Sequence, residues 1–200
     1  PAFLMIKNAS ISTAGSYWAI YDNKRTPSNP RDTILQANSN SADFDADSLD
    51  INFLSNGFQV TGTYDAVNGN GNTFIYMAFA SDPTAAPVLA DSFNTTLYTG
   101  NGTSQSITGL GFSPSFVWLK DRSSAYSHVL VDIIRGRAKS ILSNSTSAEL
   151  TSNAGNDFVS FDSDGFSVGP LQQVYTNANG DNYVAWNWKA NAVPTINTDG

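Results

Sequence analysis

The chain has 200 residues, of which 40% are hydrophobic and only 14% are charged, and its formal net charge at pH 7 is −7. No basic stripe is present that could follow a phosphate backbone, so the charge pattern argues against nucleic acid as a partner. The lack of cysteine rules out disulfides and thiolate metal sites, and the longest apolar run, FIYMAFA, is too short to cross a bilayer. A single glutamate beside many Ser, Thr, Asn and Gly residues predicts an all-β protein.

The first part of the chain predicts strands joined by loops. PAFLMIKN at 1–8 is apolar on both faces, as expected of a central strand that is covered on each side. WAIYDNKRTPSNPRDTIL at 18–35 contains Pro27 and Pro30, which the interior of a helix tolerates poorly. We therefore predict strand, loop, strand for this stretch and for its counterpart at 128–142.

The octamer FLSNGFQV at 53–60 predicts a β-hairpin. Its dipeptide Asn56-Gly57 is favoured in two-residue type I′ turns, in which both central residues need positive φ. That turn places Ser55 opposite Phe58. Alternation with period two puts four apolar residues on one face: Ile51, Phe53, Phe58 and Val60.

A second octamer, FDSDGFSV at 161–168, nearly repeats the first and predicts the same hairpin with Asp164-Gly165 at its turn. Its inward residues are predicted to be Val159, Phe161, Phe166 and Val168. Four other blocks recur in the same order, and they are PAFLMIKN with PSFVWLKD, WAIYDNKR with HVLVDIIR, ILQANSNSAD with ILSNSTSAEL, and GNTFIYMAFA with GDNYVAWNWK. The matching blocks predict two tandem modules.

The predicted fold is all-β, with two tandem antiparallel β-sandwich modules of the lectin-like or jelly-roll kind. Roughly six or seven short strands per module, joined by Gly and Asn turns, favour two packed sheets over one open sheet. The modules span 1–82 and 94–191. Segments rich in Pro, Ala and small polar residues form a linker at 83–93 and a trailing linker at 192–200.

The last strand of each module carries apolar residues at alternate positions. The two predicted core sets are Ile75, Met77 and Phe79 in the first module and Val184, Trp186 and Trp188 in the second. The second module also has a lead-in at 95–114 with two short β-like runs, and no equivalent precedes Pro1. We expect the first module to have lost its opening strand through truncation or to receive it from another region.

An acid and a base recur three residues apart at the end of a predicted strand. They are Asp22 with Arg25 and Asp132 with Arg135. Each pair could tie the strand to its following loop or could contact a ligand. We expect the structural role, since an exposed pair of this kind contributes only about 0 to 1 kcal/mol to stability.

The sequence offers weak candidates for catalysis. The only histidine, His128, aligns with Trp18 in the other module and predicts a structural role. Asp162 and Asp164 are accounted for by turn chemistry, and DSDG lacks the distal glutamate of a calcium loop. We therefore expect no enzymatic activity, no cofactor and no metal site.

Exposed aromatics and Asn-rich loops are the groups with which proteins bind carbohydrate, because rings stack on the sugar and amides bond its hydroxyls. The candidate ligand residues are Tyr126, Tyr175, Asn177 and Asn179, and Tyr17 and Tyr64 have the same character in the first module. Ordinary turns of a β protein are the alternative explanation.

Several strings resemble a repeat domain of bacteriophage and prophage virion proteins, including tail-associated proteins of marine phages. They are GFSPSFVWLKDRSSAYSHVLVDIIRG, VSFDSDGFSVG and NANGDNYVAWNWKA in the second module, with WAIYDNKR, PSNPRDTILQANSNSAD, INFLSNGFQV and NGNGNTFIYMAFA as a sister version in the first. The resemblance covers most of 1–82 and 97–191. In the first module Ala78, Phe79 and Ala80 replace the Asn, Trp and Lys of WNWK.

The resemblance implies a structural or adhesive module of a tail fibre or spike on the virion surface, serving as a spacer or as a binder of the host surface. A carbohydrate-binding lectin module is the alternative, and a capsid decoration or head-fibre protein is another. The implied partners are other virion proteins, copies of the chain in a homo-oligomer, and a host-surface glycan, without nucleic acid or membrane insertion. The resemblance implies no catalytic residues.

Overall fold

The structure is a computed structural model that describes residues 1–12, 16–80, 93–151, 157–170 and 175–190. The described residues form an all-β protein in which every strand pairing is antiparallel. The predicted all-β sandwich class is thus confirmed. No helix among these residues is long and apolar enough to span a membrane.

The first half, residues 1–80, forms a five-stranded sheet and a separate hairpin. Its strands are β1 (Phe3–Asn8), β2 (Ala19–Asp22), β3 (Thr33–Gln36), β4 (Phe44–Asp45), β5 (Ile51–Leu54), β6 (Gly57–Val60) and β7 (Phe74–Phe79). A 3₁₀ turn at Asp47–Leu49 and a one-turn helix, α1 (Asp65–Asn68), interrupt them. The sheet has the order β4, β3, β2, β1, β7, and β5 pairs with β6.

The second half, residues 93–190, forms a four-stranded sheet and two smaller ones. Its strands are β8 (Phe93–Thr99), β9 (Gln105–Thr108), β10 (Phe116–Asp121), β11 (Val129–Asp132), β12 (Lys139–Ser140), β13 (Leu150–Thr151), β14 (Phe158–Asp162), β15 (Gly165–Val168) and β16 (Asn182–Trp188). The large sheet has the order β11, β10, β16, β8, the second has the order β14, β15, β9, and β12 pairs with β13.

The two halves arrange corresponding strands in the same spatial order. β1 lies between β2 and β7, as β10 lies between β11 and β16, and the hairpin of β5 and β6 corresponds to that of β14 and β15. The stretch 128–142 holds β11 and β12 and no helix, so the prediction of strand, loop, strand is confirmed there and at 18–35. Of the predicted linkers, 83–92 and 192–200 lie outside the described residues, while Phe93 already belongs to β8.

Each half has its own apolar cluster between its large sheet and its hairpin. In the first half Leu4 and Ile6 of β1 pack toward Ile51 and Phe53 of β5. In the second half the cluster lies between the large sheet and the hairpin of β14 and β15, and its buried members include Val117, Leu119, Phe158, Phe166 and Val168. Alternation along a strand explains this arrangement, because successive side chains point to opposite faces.

A third cluster joins the halves, and we call it the seam. Its buried residues are Ala2, Phe3, Ile20, Leu35 and Ala37 of the first half with Phe93, Trp118, Val184 and Trp186 of the second. The two large sheets therefore pack face to face, and the layers are stacked in the order hairpin, sheet, sheet, hairpin. The halves thus have separate cores and are joined by a third apolar cluster, which the expectation of two separate modules did not include.

The hairpin prediction is correct in its faces and wrong in its register. Phe53 pairs with Phe58 and Leu54 with Gly57, so the two loop residues are Ser55 and Asn56. Gly57 is thus the fourth residue of the turn, a position that type I turns also favour for glycine. The register differs from the predicted one by an even number of residues, and this leaves the apolar side chains on the predicted face.

The second hairpin has the same turn, with Asp162 paired to Gly165, but its inward residues differ from the prediction. A bulge between Phe158 and Ser160 shifts the register of β14. Phe158 is therefore buried in the cluster of the second half, and Val159, predicted to point inward, is only half-buried. An extra residue in one strand re-aims the side chains that precede it.

The predicted core set of β7 is also partly wrong. Phe79 packs against the seam, but Ile75 is 50% exposed and Met77 is 38% exposed. The cause is the position of β7 at the edge of its sheet, whereas the corresponding β16 has neighbours on both sides. In β16 both Val184 and Trp186 are fully buried, as predicted.

Candidate binding clefts

A cleft of about 220 Å³ lies in the second half, and we call it the second cleft. The residues around it come from β11, β12, β13 and β14 and from the segment before β16. They are Val129, Ser140, Leu142, Leu150, Thr151, Asp157, Phe158, Tyr175 and Thr176. Aliphatic and aromatic surface thus adjoins several hydroxyl groups.

The first half has a matching cleft of about 210 Å³, which we call the first cleft. Ile34 pairs with Phe44 in one half, and Ser140 pairs with Leu150 at the same place in the other. The corresponding lining residues are Ala19 and Val129, Ile34 and Ser140, and Phe44 and Leu150. Both clefts therefore occupy the same place in the fold.

Tyrosines named as candidates in the sequence analysis stand at both clefts. Tyr175 is half-buried in the lining of the second cleft, and Tyr126 meets it edge to face with ring centroids 5.9 Å apart. Tyr17 and Tyr64 line the first cleft, where Tyr64 is 46% exposed. A ring of this kind can stack on an apolar face of a ligand while its hydroxyl stays in water.

The two predicted asparagines do not line the second cleft. Asn177 is buried, and its amide nitrogen donates to the carbonyl oxygens of Gly169 at 3.0 Å and of Thr103. Its amide oxygen accepts from the backbone N–H of Asn101 at 3.0 Å. Asn177 thus ties together the loops around it, and Asn179 is exposed beside them.

At the seam, the Asp22–Arg25 pair joins the halves. Both side chains are 0% exposed, and Arg25 Nε lies 2.6 Å from Asp22 Oδ2. Asp22 Oδ1 also accepts from the backbone N–H of Arg25 at 2.8 Å, which holds the loop after β2. Trp186 of the second half donates its indole N–H to Asp22 Oδ2 at 3.1 Å. Burial acts to raise the pKa of Asp22, but the charge and hydrogen bonds of Arg25 outweigh it and hold that pKa below its usual value.

The Asp132–Arg135 pair has the same geometry in a more open setting. Arg135 Nε lies 2.5 Å from Asp132 Oδ2, and the side chains are 25% and 21% exposed. Asp132 Oδ1 accepts from the backbone N–H of Arg135 at 2.8 Å. The residue corresponding to Trp186 is Met77, and its side chain has no N–H group that could donate to Asp132. Both pairs therefore tie a strand to its loop, and only the first also bridges the halves.

His128 is a seam residue. Its Nδ1 accepts from the indole N–H of Trp118 at 2.8 Å, so Nε2 carries the proton and donates to the carbonyl oxygen of Gln36 at 3.1 Å. Burial, with the nearby charge of Lys120, lowers the pKa of His128 to about 3. The ring is therefore neutral, and both of its nitrogens form hydrogen bonds within the fold. This arrangement gives His128 a structural role.

The aspartates of the second hairpin are likewise engaged within the fold. Asp162 accepts from the hydroxyls of Ser160 at 2.6 Å and Ser167 at 2.7 Å. Asp164 accepts from the backbone N–H groups of Gly109 at 3.1 Å and Gly111 at 2.6 Å, so it anchors the loop after β9. Among the residues that the structure describes, no group of three or more His, Asp or Glu side chains is placed to hold a metal ion.

Sequence reasoning missed the apolar lining of the second cleft. Leu142, Leu150 and Phe158 give no signal of their own, because an apolar residue beside a strand is typical of a core. Strand pairing could have identified Leu150, because Leu150 lies opposite Ser140 as Phe44 lies opposite Ile34 in the first half.

Comparison with known proteins gives a family. A protein-family model described as Domain of unknown function (DUF7483) matches residues 1–83 and 89–200. The chain belongs to this family. Searches of the curated proteins and of the solved structures found no match to the chain. The two matched ranges are separated by 84–88, which lies between β7 and β8.

The two ion pairs offer a matched test. We predict that Asp22→Ala lowers the free energy of unfolding by about 3–5 kcal/mol, because it leaves the Arg25 charge buried without its partner. Asp132→Ala, at the more exposed pair, should cost about 1 kcal/mol or less. Urea unfolding of both variants and the wild type measures the difference. Equal losses in the two variants would contradict the bridging role of Asp22.

The neutral state of His128 predicts a pH dependence. The folded pKa of about 3 lies below the ordinary value of 6.5, so the unfolded state binds the extra proton first as pH falls. The stability that this group contributes is complete above pH 6.5 and declines below it, at a slope approaching about 1.4 kcal/mol per pH unit. Urea unfolding at pH 7.5, 6 and 5 should show this loss in the wild type and a flatter profile in His128→Gln. If the unfolding free energies of the wild type and of His128→Gln fell in parallel with pH, His128 would not be the cause of the loss.

Proposed function

We propose that the chain is a structural or adhesive module of a bacteriophage virion appendage, a tail fibre or spike, exposed on the particle surface. The likeness of its strings to virion repeat domains supports this assignment. The packing supports it as well, because halves joined face to face through the apolar seam suit a stiff spacer. Other virion proteins and copies of the chain are the proposed partners.

The observation that best supports an adhesive role is the placement of the two clefts. Ala19 and Ile34 line the first cleft, while their neighbours Ile20 and Leu35 lie in the seam. Each cleft thus lies on the face of its large sheet that points away from the seam. Packing of the halves therefore leaves both clefts in place, and one chain carries two sites at matching places in the fold. Two weak sites on one body raise the overall avidity for a repetitive surface.

A lectin module is the second candidate, and the tyrosines favour it. Tyr64 lines the first cleft and Tyr175 lines the second. Their rings beside hydroxyl-bearing side chains suit a sugar with an apolar face and polar edges. A host-surface glycan is the proposed ligand.

The virion assignment predicts the location of the protein. Immunogold electron microscopy with antibodies against residues 1–200 should label an appendage on particles of the phage or prophage that encodes the chain. Particles of a deletion strain are the control and should stay unlabelled. Abundant protein in infected cells without any in purified particles would refute the assignment.

The lectin candidate predicts a binding loss at defined residues. On an array of bacterial surface polysaccharides, the double variant Tyr64→Ala, Tyr175→Ala should bind at least about tenfold more weakly, since stacked aromatic contacts dominate such sites. Tyr76→Ala, an exposed tyrosine outside both clefts, is the matched control and should bind as the wild type does. Binding unchanged in the double variant, or absent from the wild type, would exclude glycan recognition by the clefts.

A further inference from the structure

The first half has two open strand edges that its counterpart fills. Among the described residues, β7 pairs only with β1 and β6 pairs only with β5. In the second half, β16 pairs with β8 as well as with β10, and β15 pairs with β9 as well as with β14. Both additional strands come from one continuous segment, residues 93–112.

That segment contributes much of the core of the second half. Ile107, Leu110 and Phe112 are 4%, 1% and 3% exposed within its apolar cluster. Tyr98 packs on the same cluster, and its hydroxyl donates to the carbonyl oxygen of Thr176 at 2.6 Å. Nothing in the described part of residues 1–80 corresponds to these side chains.

The apolar residues on the open edges are correspondingly exposed. Ile75 and Tyr76 of β7 are 50% and 62% exposed, whereas Val184 and Ala185, which correspond to them in β16, are fully buried. In the hairpins, Phe166 and Val168 are fully buried by β9 and its loop, whereas the corresponding residues, Phe58 and Val60, are half-buried. Exposed apolar residues beside unpaired backbone groups are typical of an edge that another strand covers.

The turn glycines show the same difference at the backbone. A Cβ atom on Gly165 would stand 1.9 Å from the carbonyl oxygen of Ile107, so β9 can approach only because the residue is glycine. A Cβ atom on Gly57 would meet nothing within 4 Å. The first half thus keeps the small residue and the open space that a third strand requires.

We propose that the edges of β6 and β7 are a docking site for one polypeptide segment with the residue pattern of 93–112. In this arrangement its first strand pairs with β7, placing a residue equivalent to Phe93 opposite Phe79 and one equivalent to Tyr98 opposite Phe74. Its second strand pairs with β6, and its apolar side chains cover Phe58 and Val60. Main-chain hydrogen bonds to both edges give the affinity, and the covered aromatic residues give the specificity.

The point of attachment can be inferred from the second half. There, Ser113, Pro114 and Ser115 join Phe112 to β10, and Pro1 lies two residues before β1 as Pro114 lies two residues before β10. A segment joined directly to Pro1 therefore reaches both edges with the same short connection. This proposal concerns the fold of the first half and does not depend on the function proposed above.

The test is a fusion in which a second copy of residues 93–113 is joined to Pro1 of the full chain. Hydrogen exchange of the amides on the outer edges of β6 and β7 should slow by at least about tenfold, because these groups become paired and buried. The thermal midpoint should rise by several degrees. The matched control carries Pro in the added copy at the positions of Thr96 and Ile107, which breaks both strands at nearly the same composition, and it should exchange as the unfused chain does.

Three results would overturn the proposal. The first is a fusion whose β6 and β7 amides exchange as fast as in the unfused chain. The second is equal protection in the proline control, since pairing could not then be the cause. The third is an unfused chain whose edges are already protected in a dimer by size measurement, since a second copy would then be the occupant.

Discussion

The structure depends on the aromatic packing of the seam. Phe3 lies in contact distance of four rings, with centroids 5.6 Å from Trp186, 5.7 Å from Phe93, 5.9 Å from Phe79 and 5.9 Å from Trp188. Each such pair contributes about 0.5–1.5 kcal/mol beyond the burial of its area. Because these rings come from both large sheets, each sheet is covered on both faces. This double coverage is the reason that the first four residues of β1 and of β10 are all apolar.

Polar groups give the seam one defined arrangement. Trp186 reaches Asp22 across it, and His128 is held between Trp118 of its own half and the carbonyl of Gln36 in the other. At its rim Arg122 pairs with Asp43 at 2.6 Å. Buried polar groups that are bonded across an interface penalise any other alignment of the sheets. The faces turned away from the seam are then free to differ, and the clefts lie there.

Features that depend on local periodicity were predictable from the sequence. The alternation placed Phe53 and Phe58 on one face, because a register change of even size does not alter the face. The alternation could not show which position of the turn Gly57 occupies, since glycine suits more than one. It also could not predict the bulge in β14, which makes Phe158 the buried residue in place of Val159. Two apolar faces on β1 indicated that both are covered, but a pattern within one strand does not say by which sheet.

The candidate site shows the same division. The sequence named Tyr126 and Tyr175 as candidate ligand residues, but it could not show that their rings meet, because they lie in loops 49 positions apart. The sequence could not show that Asn177 has a structural role. An asparagine that forms hydrogen bonds between loops and one that forms them with a sugar give the same sequence signal. The exposure of Ile75 and Met77 depends on whether another strand pairs with β7. The residue pattern within a strand does not show whether that strand has a neighbour on each side.

The central claim is that the seam makes the two halves one cooperative unit, and calorimetry tests it directly. Thermal unfolding of the chain should give a single transition whose calorimetric and van't Hoff enthalpies agree. Two resolved transitions, one for each half, would show that the halves unfold independently and would contradict the account.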